Sequence, residues 1–132
     1  MKKQMKKILP VMLAVCLCVM FSVTAYARYI YSINAYNSLD INGDVATMYS
    51  DFDCSDSITQ VSVTQVLQKK SGSSYSTVPG TSRSKTFYSS MFSFESDVAC
   101  TSAGTYRVKT TYKVTGPQGT ETHTKTSAAV TR

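Results

Sequence analysis

Two patterns of apolar residues divide the chain. The first is a continuous run from Ile8 to Val23, broken only by Pro10 and ending near Ser22. Lys2, Lys3, Lys6 and Lys7 precede it, and Ala25-Tyr26-Ala27 follows it with small residues at −3 and −1. A positive start, an apolar stretch and a small-residue exit predict a cleavable signal peptide over 1–27, with a single exported domain over 28–132. About 16 apolar residues fall short of the roughly 20 that cross a bilayer, so an uncleaved membrane anchor is not expected, and with no second hydrophobic segment after it neither is stable membrane insertion after cleavage. Leu13-Ala14-Val15-Cys16 approaches a lipoprotein box, but bulky Val15 stands where that processing needs Gly or Ala. The tail, Ser127 to Arg132, carries no wall-anchoring pattern.

The second pattern, after Arg28, has a period of two. Ile33, Ala35, Leu39 and Ile41 alternate with polar residues, Asn37 interrupting; Val61, Val63 and Leu67 do the same around Gln65. Phe92, Phe94, Val98 and Cys100 share a side with Ser96. Thr105 to Thr115 is the clearest run, with Tyr106, Val108, Tyr112 and Val114 on one face and Arg107, Lys109 and Lys113 on the other. Shorter runs are Val45 to Ser50, Tyr75 to Val78 and Ser84 to Tyr88, and Thr120 to Val130 closes the domain with weak alternation. Alternation of this kind builds half-buried strands, and turn residues separate the runs: Asn42-Gly43-Asp44, Ser71-Gly72-Ser73, Pro79-Gly80 and Gly116-Pro117-Gln118-Gly119. Asp51 to Ser57 reads as a polar, acidic loop. No helical period appears after Arg28. Seven or so short strands in 105 residues predict an all-β, antiparallel β-sandwich, since a parallel sheet would show continuous apolar runs.

Composition changes its meaning once the leader is set aside. Four of the 14 basic residues and none of the 8 acids lie in 1–27, so the formal charge of +6 falls to +2 for the exported part. So small a charge gives no case for a nucleic-acid partner. Cys16 and Cys18 leave with the leader, and Cys54 and Cys100 remain. Two cysteines in an exported chain make one disulfide the default expectation.

Thr101-Ser102-Ala103-Gly104-Thr105-Tyr106-Arg107-Val108 resembles the corner that opens strand F of immunoglobulin-like domains, where a Tyr two residues after a Gly bonds back to the upstream backbone. Val108 stands where antibody domains carry a cysteine, and the strand C Trp is missing, leaving Val63 or a neighbour to fill its place. An immunoglobulin topology would put Cys54 at one end of the sandwich and Cys100 at the other, which works against their pairing. Three further segments, Leu39 to Ala46, Val66 to Gly72 and Gly104 to Lys109, resemble small secreted proteins of Gram-positive bacteria that carry one immunoglobulin-like β-sandwich and have no established function. Tyr75 stands where these proteins often have Trp, and Met48 where some have Cys. The resemblance implies a fold and an extracellular or wall-associated location. It implies no activity.

Candidate chemistry is sparse. His123, the single histidine, alternates with Glu121 and Lys125, which reads as a surface position, and no Gly-x-Ser-x-Gly elbow accompanies it. Asp51, Asp53 and Asp56 open like a calcium loop, but Asp56 and Ser62 occupy the places of the required Gly and Glu. One His and two distant Cys do not make a transition-metal site, and no cofactor motif occurs. Tyr29, Tyr31, Tyr36, Tyr49, Tyr75 and Tyr88 are candidates for sugar stacking or for packing. Arg107, Lys109 and Lys113, extended by Lys125, form a basic stripe able to meet an acidic partner or simply to keep a sheet face soluble. The expectation is a secreted, non-enzymatic module that binds a protein or glycan at or outside the cell surface. A secreted effector or toxin-like factor is the alternative, and a small hydrolase a remote one.

Overall fold

The computed structural model describes residues 29–132; the predicted leader and its cleavage site lie outside the described residues. Those residues form nine strands and no helix: β1 (Ile33–Asn42), β2 (Val45–Cys54), β3 (Gln60–Ser71), β4 (Ser74–Thr77), β5 (Arg83–Phe87), β6 (Met91–Ala99), β7 (Thr105–Gly116), β8 (Gly119–Thr126) and β9 (Val130–Thr131). Every pairing is antiparallel. One sheet has the order β1-β2-β6; the other runs β4-β3-β7-β8, with β5 also on β3 and β9 also on β7.

Tight turns set the registers. Gly43, with φ of 60°, opens the two-residue link between β1 and β2, and Gly72, with φ of 63°, does the same between β3 and β4. Only glycine takes that conformation without strain. Strand β3 is long enough to pair with β4 near Lys69 and with β5 near Val63. Between the two, Thr81 turns inward and its hydroxyl accepts the Leu67 N–H (3.1 Å), while the Val78 N–H donates to the Leu67 carbonyl (2.8 Å). Both backbone groups of Leu67 are thereby paired in the gap between two short strands.

The inward side chains of both sheets meet in two apolar clusters. Leu39, Ala46, Met48 and Val98 of the first sheet pack with Leu67, Tyr106 and Val108 of the second; Cys100 joins them. At the other end Phe52, Val61, Val63, Tyr112 and Val114 pack with Tyr31 and Cys54. Each fully buried side chain of this size contributes roughly 1.5–3 kcal/mol. A polar belt of Asn37, Ser50, Gln65 and Thr110 divides the clusters, all four buried. Gln65 Nε2 donates to Ser50 Oγ (2.7 Å) and the Phe94 carbonyl (3.1 Å), and Gln65 Oε1 accepts the Ser96 hydroxyl (2.5 Å), so one side chain ties β3 to both β2 and β6. Asn37 accepts the Tyr112 hydroxyl (2.7 Å) and donates to the Lys125 carbonyl (3.0 Å). No buried side-chain polar atom among the described residues lacks a partner. The two sheets are therefore the layers of a β-sandwich with hydrogen bonds across its middle.

Two expectations are corrected here. The acidic segment from Asp51 to Cys54 is not a loop; it is the second half of β2, with Phe52 and Cys54 buried and Asp51 and Asp53 exposed. The expected disulfide is absent as well. Cys54 and Cys100 are free, buried thiols in different clusters. The Cys100 N–H donates to the Asp44 carbonyl (2.8 Å) just before β2, whereas Cys54 ends β2. That length of extended strand separates them by about 30 Å, and a disulfide needs Cα atoms within roughly 7 Å.

Candidate interaction face

The outward positions of the second sheet carry the candidate binding side chains, Arg107, Lys109 and Lys113. Strand β7 alternates strictly, so burying Tyr106, Val108, Thr110, Tyr112 and Val114 turns Arg107, Lys109, Thr111 and Lys113 outward. Arg107 is held in place: its Nε donates to Gln68 Oε1 on β3 (2.9 Å) and its guanidinium lies 3.9 Å from the Tyr75 ring centroid on β4. Such a contact is a cation–π stack that limits the rotamers of a long side chain. Lys70, opposite Tyr75 in the register, joins the same face. Around these cations stand hydroxyls. Ser84, Thr64, Thr111 and Thr124 form one row across four strands, and Thr86 and Ser62 lead to Lys113 and Thr122 in the next. Several bond sideways, as Thr64 does with Ser84 (3.0 Å) and Ser62 with Thr86 (3.2 Å). Paired hydroxyls of this kind stabilise neighbouring strands. Among the described residues, four cations and no carboxylate occupy this face.

Lys125 is not part of it. It pairs with Thr110, an inward position, and lies at the rim of a cleft on the other side of β8. The same alternation turns Glu121 and His123 inward. His123 is buried, against the expectation of a surface histidine, because the segment Tyr29 to Ser32 folds over β8. The Ile30 N–H donates to Glu121 Oε2 (2.5 Å) and the Tyr31 N–H to Oε1 (3.5 Å). His123 Nε2 bonds the same carboxylate, and the Tyr29 ring lies on the imidazole with centroids 4.6 Å apart. Partial burial pushes the Glu121 carboxyl up, but the hydrogen bonds from Ile30, His123 and Tyr31 together outweigh it and hold the group below the ordinary carboxylate range. Tyr31 completes the clasp: its hydroxyl donates to the Gly119 carbonyl (2.8 Å) and accepts the Gln118 N–H (3.2 Å). Gly116 makes room for that ring, since a Cβ there would stand 2.7 Å from the Tyr31 hydroxyl. Beside the clasp is an open cleft of about 420 Å³ lined by Tyr29, Asp56, His123 and Lys125 among others.

The other candidates separate. Asp51 and Asp53 point outward from β2 while Asp56 accepts the Ser32 N–H (2.6 Å), so the three do not converge. Among the described residues no three His, Cys, Asp or Glu lie close enough to hold a metal ion. The tyrosines do not form one platform. Tyr31 is buried, Tyr75 is covered by Arg107, Tyr29 lies on His123, and Tyr88 stands beyond β5. Tyr36 and Tyr49 share the outer face of the first sheet. At the opening of β7 the Tyr106 hydroxyl donates to the Ser102 carbonyl four residues upstream (2.7 Å). In comparisons with known proteins, no family model matches the chain and no curated protein matches its sequence.

Proposed function

We propose that the protein is a secreted, non-enzymatic binding module of immunoglobulin-like type, and that it engages an acidic protein or glycan outside the cell through the outer face of β3 and β7. The fold type is supported by the division of strands, β1-β2-β6 against β4-β3-β7-β8, which is a sandwich arrangement used by many extracellular domains. It is also supported by the Tyr106–Ser102 bond, the Tyr corner of such domains. Export is supported by the leader pattern in 1–27.

The observation that carries the binding reading is the unopposed charge of one face. Arg107, Lys109, Lys113 and Lys70 share it without a carboxylate, and Arg107 is already ordered by Gln68 and Tyr75. A cation fixed before contact loses less entropy on binding an anion. A hydrolytic reading has less to stand on: the His123–Glu121 pair is occupied in clasping the N-terminal segment. The test is co-sedimentation of the purified protein with whole cells and with isolated anionic wall polymer. The wild type is expected to bind in low salt, and K109E/K113E to lose at least tenfold in affinity. Equal binding by the two proteins overturns the assignment of this face.

A further inference from the structure

The outer face of the first sheet has the opposite character. Alternation on β1, β2 and β6 turns Asp40, Asp51, Asp53, Glu95 and Asp97 to the outside, all of them exposed, and no Lys or Arg stands among them. In the register they sit in successive rows: Asp40 and Asp97 flank Thr47, Glu95 stands beside Tyr49, Asp51 lies between Tyr36 and Ser93, and Asp53 lies between Asn34 and Met91. The two broad faces of one small sandwich thus carry five carboxylates and four cations respectively. The ion pairs among the described residues, Glu121–His123 and Arg132–Asp44, use none of them.

The dimensions also agree. The acidic rows run along β2 from Thr47 to Asp53, and the cations run along β7 from Arg107 to Lys113. Each interval is six residues of extended strand, about 20 Å. Exposed apolar groups accompany the charges, Tyr36 and Met91 on the acidic side and half-buried Val66 on the basic side.

We infer that the acidic partner of the basic face is a second copy of this chain, whose β1-β2-β6 face docks on β3 and β7. The inference rests on the binding reading above and names its partner. Because the two contacting surfaces differ, the interface is heterologous and each docked pair leaves one face of each sign free, so association continues into open stacks. Strands about 33 Å long and about 4.8 Å apart give a three-stranded face of about 450 Å² a side. That is below the roughly 800 Å² per partner of a stable complex, so stacking is weak, reversible and driven by charge.

The test is sedimentation velocity on the full chain, expressed from Met1 and purified as the host processes it, with K109E/K113E and D51K/E95K alongside. These four positions are exposed or half-buried and outward, and circular dichroism checks that each variant keeps its strands. Wild type is expected to show a mean mass that rises with concentration at about 0.01 M salt and returns to monomer near 1 M, where the Debye length falls from about 30 Å to about 3 Å. Each variant alone is expected to stay monomeric, and an equimolar mixture of the two to associate again. Wild type that stays monomeric in low salt, or associates unaffected by either reversal, overturns the inference. If a monomeric wild type still co-sediments with wall polymer through Lys109 and Lys113, the second copy is excluded while the binding face stands. If it binds neither, both fall.

Discussion

Tyr112 shows how single residues hold this fold together. Its ring is buried against Phe52, with centroids 5.3 Å apart, and its hydroxyl donates to Asn37 across the layers. Burial pushes its pKa up to about 12, above the ordinary tyrosine value. The folded state therefore keeps the proton more tightly than the unfolded chain. The contribution is complete below pH 10 and is lost as pH rises from about 10 to about 12. Replacing Tyr112 with Phe should flatten that alkaline loss, seen by denaturant melts across the pH range. At neutral pH it should cost about 1–3 kcal/mol, because the Asn37 side-chain carbonyl is left without its donor. Glu121 behaves in the opposite sense. Its folded pKa is lowered, so its contribution is present above the ordinary carboxylate pKa and disappears as pH falls through the folded value. Glu121→Gln should weaken the clasp of Tyr29 to Ser32 at pH 7, read as faster amide exchange at Ile30 and Tyr31, and should reduce the stability lost on acidification. Gln65 is the third such residue. Gln65→Leu should destabilise the protein by about 1–3 kcal/mol by leaving the Ser96 hydroxyl without its acceptor, while Ser50 keeps its bond to Thr110.

At the level of strands, the period-two alternation of β3 and β7 is legible in the amino-acid sequence alone, down to Gln65 as the polar position among buried neighbours. Two features are not. The second half of β2 alternates Asp51, Phe52, Asp53 and Cys54 as a strand should, but three aspartates in six residues resemble a solvated turn more than a sheet face. The inner side of β8, Glu121-His123-Lys125, is polar because it lies at a sheet edge and is roofed by Tyr29 to Ser32, some ninety residues earlier in the chain. No local pattern announces a cover so distant. The same logic gives Gly116→Ala a larger effect than its place at the end of β7 suggests. An added methyl meets the Tyr31 ring, so the variant should lose protection at Ile30 and Tyr31 in hydrogen exchange while β3 and β7 keep theirs. Uniform exchange across the domain would place the clasp inside the global folding unit instead.

For the whole molecule, net charge conceals the arrangement that matters. Residues 28–132 carry only +2, which argues against broad electrostatic attraction to nucleic acid. Yet its charges are sorted by layer, acids outward on β1, β2 and β6 and cations outward on β3 and β7. The cationic stripe of β7 is legible in its own alternation, but the sorting into two faces emerges only when the registers are known, since β1, β2 and β6 each show only one or two acids. A two-faced protein of this kind should be retained by both cation- and anion-exchange resin at neutral pH and low salt. K109E/K113E should lose the first and keep the second. The most direct measurement is a residue-resolved map of amide chemical shifts while isolated anionic wall polymer is added to the monomeric protein. The account predicts changes concentrated at Arg107, Lys109, Lys113 and their neighbours on β3, with β1, β2 and β6 silent. Changes centred on Tyr29, His123 and the adjoining cleft, or spread evenly over both faces, would contradict it.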